Sequence, residues 1–310
     1  MLVGQKVLLT GVTGRIGEAI AERFARSCEL WGLARYSTEG SIEKTRELGV
    51  VPVIGDYASG ELSQVPNDFD YVLHVAADVA PPSAEAGMRA NSDGAARLMQ
   101  HCRSAKAFLH MSTTGVYKQN PDPNFVYSES ADLGGQSGGQ YSPTKLAGEG
   151  AVRAAAIILE LPTVICRQNV QYGGAHVPGG LFDHYLDAFV ESGEVPVPTD
   201  LEHVCGALHV DYICDFVEPS LKAASVPATI VNWGGDEAVR WRDVFEYVGT
   251  LVGTAPRFVP TPGFQLHHPS CIPDPAKRMS LVGPARVDWR LGIRRSLEAR
   301  HPGIALVDSA

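Results

Sequence analysis

Val7-Leu-Leu-Thr-Gly-Val-Thr-Gly-Arg-Ile-Gly17 joins a short apolar run to a turn with glycine at every third position. Gly11 permits a tight turn, Gly14 a close backbone approach to phosphate, and Gly17 close packing of a helix on a strand. The helix that starts here presents free N–H groups and the positive end of its dipole to an anion such as a pyrophosphate. The spacing is Gly-x-x-Gly-x-x-Gly, which alone also suits an ordinary strand-to-helix turn. Placed after the first strand of an alternating chain, it reads as a dinucleotide loop, with Thr13, Arg15 and Ile16 as further contacts.

The alternation runs through the first half. Residues 6–9, 29–34, 50–54, 71–75, 107–111 and 163–166 read as strands; 15–27, 41–48, 84–103 and 141–160 read as helices. Strands alternating with helices predict a parallel sheet covered on both faces. Right-handed crossovers then give an α/β, Rossmann-like doubly wound fold with ligands at the carboxyl ends of the strands. The second half is richer in Gly and Pro at 173–198 and 254–275, and reads as loops and short elements of a smaller lobe. One return to the sheet is expected through 207–210 and 230–232. The expected division is a dinucleotide-binding domain of residues 1–167 plus 205–231, and a C-terminal substrate lobe of 168–204 plus 232–310.

Three hundred and ten residues with 45% hydrophobic content can fill a large core, and a net charge of −9 gives no electrostatic case for nucleic acid. Six scattered cysteines without Cys-x-x-Cys read as free thiols in a reducing compartment, hence a cytoplasmic protein. No signal-peptide pattern opens the sequence. The most apolar stretch, 151–166, is broken by Arg153, Glu160 and Pro162, so no membrane partner is expected. His267-His268 with Cys271 lacks a fourth ligand, so no metal is expected.

A second signal lies in Tyr141-Ser-Pro-Thr-Lys145. On a helix, Tyr141 and Lys145 share one face one turn apart. A neighbouring ammonium and an oxidised nicotinamide would favour the phenolate and bring the tyrosine into use as an acid or base. At the end of the second strand, where an acidic residue would accept from the ribose of NAD, the chain has Arg35-Tyr36-Ser37. Arg35 suits a 2′-phosphate, Ser37 adds a hydrogen bond, and Arg15 reaches the same phosphate in this reading; the expected cofactor is NADP, with NAD as the alternative. The competing reading of Arg35 is a solvated surface cation. Asp56, with Tyr57 beside it, is assigned to the adenine, though Asp56 also suits a simple turn. Ala76 and Ala77 offer small side chains against the cofactor, and Asn91 either touches it or bonds a local carbonyl.

The joint pattern resembles the extended short-chain dehydrogenase/reductases, the NAD-dependent epimerase/dehydratase family. It rests on the glycine loop, Gly55-Asp56, His74-Val-Ala-Ala77, Asn91, Ser112-Thr-Thr-Gly-Val-Tyr117, Tyr141-x-x-x-Lys145, Arg167 with Tyr172-Gly173, and His209-Val-Asp211. The resemblance implies an enzyme with Thr113 as the catalytic hydroxyl, Tyr141 as acid/base and Lys145 on the nicotinamide ribose. It implies Gln168, Asn169 and Val170 along the nicotinamide, and Asp78, Thr113, Thr114 and Tyr141 at the substrate. Two departures stand out. Val170 replaces an asparagine usual in nucleotide-sugar members, and Cys205 replaces an arginine. Both remove contacts expected for a nucleotide diphosphate. The expected activity is therefore an NADP-preferring oxidoreductase interconverting carbonyl and alcohol on a small organic substrate. A nucleotide-sugar epimerase or dehydratase with tightly held NAD is the first alternative, and a non-catalytic NADP sensor the second. The long helices at 84–103 and 141–160 suggest a homodimer.

Overall fold

The computed structural model describes residues 1–135, 139–173, 181–199, 202–262, 270–285 and 288–307. A seven-stranded parallel sheet forms its centre: β1 (Lys6–Thr10), β2 (Glu29–Ala34), β3 (Val51–Ile54), β4 (Tyr71–His74), β5 (Ala107–Thr113), β6 (Thr163–Gln168) and β7 (Thr229–Trp233). Their spatial order is β3-β2-β1-β4-β5-β6-β7, so the chain reverses its winding between β1 and β4. Thr10 lies beside His74 there, at the carboxyl ends of the two strands where a doubly wound sheet takes its ligands.

The apolar runs follow from burial on both faces. In β1, Val7 and Leu9 pack with Ile20, Phe216 and Trp233, while Leu8 packs on the opposite face with Leu98, Phe108 and Val152. The covering helices are α1 (Arg15–Phe24), α2 (Ser41–Glu47), α3 (Ala84–Met88), α4 (Gly94–His101), α5 (Tyr141–Ile158) and, later in the chain, α7 (Val210–Lys222).

Three expectations need correction. The helix expected at 84–103 is two helices joined by a π turn, Arg89–Asp93. There the Asn91 side chain grips the backbone of Asp78, donating to its carbonyl and accepting from its N–H, both at 2.9 Å. Of the two segments expected to rejoin the sheet, only the later one does, as β7. Leu208–His209 instead pairs with Gln171–Tyr172, and His209 then caps α7 by accepting from the Asp211 N–H.

The third correction concerns the second half. Its described residues hold four substantial helices: α6 (Leu181–Ser192), α7, α8 (Trp241–Val252) and α10 (Trp289–Arg300), along with the short α9 (Ala276–Leu281). The helical spacing of Phe182, Leu186 and Phe189, and of Trp241, Val244, Phe245 and Val248, builds a third core with Trp289, Ile293 and Leu297. Among the described residues no helix is long and apolar enough to cross a membrane.

Candidate active site

The site begins at the turn after β1. Gly11 has φ of +72°, and a Cβ there would sit 3.0 Å from the Ala76 Cα, so glycine lets the ends of β1 and β4 approach. A Cβ on Gly17 would collide with the Gly11 carbonyl; glycine is what seats α1 on the loop. Thr10 Oγ1 ties the same corner together, sharing a 2.8 Å hydrogen bond with His74 Nδ1 and accepting from the Ala76 N–H at 3.1 Å. Burial lowers the His74 imidazole to about 3, with the Lys145 charge adding to the effect, so this histidine stays neutral and structural. Thr13 and Gly14 are exposed on the loop, and Ile16 packs its side chain against the core.

Arg35 is exposed beyond β2 and has no ion-pair partner among the described residues. It borders a cavity of about 410 Å³, together with Thr13, Ser37, Ser41, Glu18 and Lys44. Lys44, a cation that sequence reasoning missed, is held 2.9 Å from Glu18. Only the folding of α2 against α1 brings it there. Arg15 does not border this cavity. Its guanidinium pairs with Asp183 of α6 and donates to the Gly173 carbonyl, so in the protein alone it is engaged away from the cavity that Arg35 borders. Asp56 uses one carboxylate oxygen to accept from the Ala58 N–H at 2.9 Å, as a turn aspartate does. Tyr57 stands edge-on to His74 at 5.0 Å.

At the other end, α5 starts at Tyr141 and lies over the end of β5. Thr113 stands near enough to Tyr141 to oppose the effect of burial on its phenol, and the Thr113 hydroxyl accepts from the Gly115 N–H at 3.0 Å. Lys145 is buried, with Nζ donating to the Met111 carbonyl at 2.6 Å. Burial pushes the Tyr141 phenol up to about 12, opposed by the Thr113 hydroxyl. Burial also lowers the Lys145 ammonium to about 8, opposed by the Glu149 carboxylate. In the protein alone, then, desolvation outweighs the phenolate-favouring influence expected of Lys145.

Glu149 was missed by sequence reasoning, although Tyr141, Lys145 and Glu149 fall at successive fourth positions of one helix and so share its face. It is buried and forms a two-pronged ion pair with Arg167: Nη2 to Oε2 at 2.7 Å and Nε to Oε1 at 3.0 Å. It also accepts from Ser112 Oγ at 2.6 Å. Arg167 lies over the Tyr117 ring at 4.8 Å, and Tyr117 donates to Asn232 Oδ1 at 2.6 Å. This buried network anchors β5, β6, β7 and α5 directly behind the reacting hydroxyls.

Several expected contacts are engaged internally. The Asn169 amide donates to Thr114 Oγ1 at 2.8 Å and to the Cys271 carbonyl at 3.2 Å, and accepts from the Gly206 N–H. Thr114 donates to the Gln168 carbonyl, and Val170 is buried in the lobe core. Asn91 bonds Asp78 and Thr144. Asp78 accepts from the Ala80 N–H. Cys205 is 2% exposed and cannot present a side chain to a diphosphate. His267 and His268 lie outside the described residues; among those described, no cluster of three metal-ligating side chains occurs.

The geometry defines a Rossmann-like, doubly wound fold with a tyrosine, a lysine and a hydroxyl group gathered at the carboxyl end of its sheet. Residues 7–234 match the NAD dependent epimerase/dehydratase family, and the chain belongs to it. One relative is the trifunctional UDP-glucose 4,6-dehydratase/UDP-4-keto-6-deoxy-D-glucose 3,5-epimerase/UDP-4-keto-L-rhamnose-reductase RHM3 of Arabidopsis thaliana. It is 23% identical over 95% of this chain and 47% of its own length. The chain thus spans about half the length of the first curated relatives it matches. Among solved structures, MoeE5 in complex with UDP-glucuronic acid and NAD superposes with a TM-score of 0.80, at 22% identity, covering 95% of this chain and 98% of that one. The UDP-glucuronic acid 4-epimerase from Bacillus cereus, in complex with NAD, superposes with a TM-score of 0.78, at 20% identity, covering 94% and 96%.

Proposed function

We propose that the protein is a nucleotide-sugar-modifying enzyme of the epimerase or dehydratase type, acting through reversible oxidation of a sugar hydroxyl. The observation that carries this reading is the Thr113–Tyr141–Lys145 group at the carboxyl end of the sheet, in a chain whose family and relatives are named for such chemistry. The glycine loop fits a dinucleotide, since Gly11 and Gly17 leave room that a Cβ would fill. When bound, the nicotinamide supplies the hydride acceptor and a positive charge. Tyr141 takes the hydroxyl proton, Thr113 holds the same oxygen, and Lys145 supports the phenolate. Epimerisation needs only this proton carrier and a reversible hydride transfer. A dehydration needs further acid and base groups, and Thr113 is followed by Thr114 and Gly115 rather than carboxylates.

A second reading, a carbonyl reductase that prefers NADP and takes a smaller substrate, is favoured by buried Cys205 and by unpaired Arg35 beside its cavity. The proposed division assigns residues 1–167 with 205–231 to the cofactor and 168–204 with 232–310 to the substrate. Six free cysteines support a reducing, cytoplasmic setting. A homodimer through α4 and α5 is proposed too; Ile157 and Ile158 of α5 are 54% and 79% exposed, and solution scattering giving a monomer mass would rule it out.

The test is to release and identify the nucleotide from purified protein, then follow UDP-glucose and UDP-glucuronic acid by NMR. Conversion to an isomer or a 4-keto product without net cofactor turnover is expected. Stoichiometric NADPH consumption with simple ketones or aldehydes, and inert UDP-sugars, would overturn the main reading in favour of the second.

A further inference from the structure

Arg15 stands at the first position of α1, next to Gly14 in the glycine loop. Its guanidinium reaches across to the substrate lobe, pairing with Asp183 in the first turn of α6 and donating to the Gly173 carbonyl at 3.3 Å. The Gly173 N–H donates back to Asp183 Oδ1 at 3.3 Å. Three groups from two lobes therefore close on one another: the glycine loop, Gly173 at the end of the strand Gln171–Tyr172, and α6.

The burial decides what this contact is for. The Asp183 side chain is 0% exposed and that of Arg15 is 15% exposed. A carboxylate out of water requires a cation and hydrogen bonds. The lobe has its own cation nearby in Arg300, but Arg300 Nε is held by Asp187 at 2.9 Å. Asp183 is instead neutralised by a residue of the cofactor loop. Arg15 Nε stays a buried donor without a hydrogen-bond partner. Such a donor beside an anion-binding helix terminus suits an anionic group of the dinucleotide.

Gly173 adds the link to the substrate side. It has φ of +86°, and a Cβ there would meet the His209 ring, so Gly173 is fixed against the strand pair Leu208–His209 with Gln171–Tyr172. A shift in Arg15 is therefore felt at Gly173 and α6 together.

We infer that Arg15 and Asp183 form a positioning pair that couples occupancy of the dinucleotide site to the geometry of Gly173 and α6 in the substrate lobe. The inference rests on the dinucleotide reading of the glycine loop. The coupling is reciprocal: a ligand that orders one side favours the other.

The experiment is hydrogen exchange read by mass spectrometry, with and without saturating NAD and, separately, NADP. In the wild type, cofactor slows exchange in residues 11–17 and, by about tenfold or more, in the first turns of α6. In Asp183→Asn the loop still slows and α6 does not. The double variant Arg15→Met/Asp183→Leu replaces the pair by apolar groups that can pack without leaving a buried charge. It melts near the wild-type temperature, yet α6 again fails to respond. A merely structural pair would let the double variant regain the α6 response, which would overturn the inference. A wild-type loop that slows while α6 does not would overturn it equally. If neither segment responds to either cofactor, the dinucleotide reading fails and takes the inference with it.

Discussion

Arg35 and the paired arginines of the C-terminal lobe are cations put to different uses. In the C-terminal lobe, Arg240, Arg278, Arg290, Arg295 and Arg300 pair with Glu202, Asp236, Glu237, Asp211 and Asp187, and Arg242 lies over Phe258 at 4.6 Å. In the N-terminal half Arg15, Lys44 and Arg167 are paired as well, but Arg35 has no ion-pair partner among the described residues and faces a cavity. A cation already paired holds the fold, whereas one left in water beside a cavity is available to a ligand.

The largest way to break this contrast is to move the chemistry out of the N-terminal half. Tyr141→Phe keeps the ring and removes the proton carrier. Turnover should fall by roughly a hundredfold to ten-thousandfold while cofactor still binds. Single-turnover assays on whichever substrate is converted provide the check, and a rate within a few-fold of wild type would show that the acid/base lies elsewhere.

The next effect is on stability. Arg167→Met leaves Glu149 as a buried carboxylate without its cation, which costs on the order of 3–5 kcal/mol. Urea unfolding should register that loss. Arg240→Ala, which breaks a half-exposed pair in the lobe, should register no more than about 1 kcal/mol. Equal losses would mean that burial does not set these two pairs apart.

How far the sequence could be read follows the same divide. The glycine loop and the Tyr141–Lys145 pair were legible because their function depends on local spacing: a turn that excludes Cβ atoms, and one helical turn between two side chains. Glu149 extends that same spacing by another turn, and its period was the available signal. Lys44 and Asp183 were not legible, since their roles arise when α2 meets α1 and α6 meets the glycine loop. The pairing of Arg15 was hidden for the same reason: its partner lies 168 positions away along the chain. The lobe's Gly and Pro content masked helices whose apolar spacing was present at Phe182, Leu186 and Phe189. The NADP expectation stands as a proposal, whereas the structural neighbours carry NAD.

That proposal yields a smaller and sharper test. A charge-assisted contact is worth roughly 1.5–3 kcal/mol, so Arg35→Ala should weaken NADP binding by about tenfold to a hundredfold. NAD binding should hardly change. Calorimetric titration of both cofactors distinguishes the outcomes, and wild-type affinity for NAD at or above that for NADP would make Arg35 a surface cation only.

The smallest effect concerns Lys145 and depends on pH. Burial lowers its ammonium to about 8 from 10.5 in the protein alone. A lysine below that value is charged and can donate to ribose hydroxyls; above it the charge and one donor are lost. A bound dinucleotide that accepts those bonds favours the charged form and raises the titration point. Cofactor affinity should therefore be full below about pH 8 and decline as pH rises through it. If the bound form stays protonated to pH 9, linkage limits the fall between pH 7 and 9 to about tenfold. Lys145→Met should bind more weakly at pH 7 and show a flat profile across the same interval. A wild-type affinity unchanged from pH 7 to 9 would mean that Lys145 does not meet the cofactor as a titrating ammonium. Its 2.6 Å bond to Met111 would then be structural, and the catalytic group would reduce to Tyr141 and Thr113.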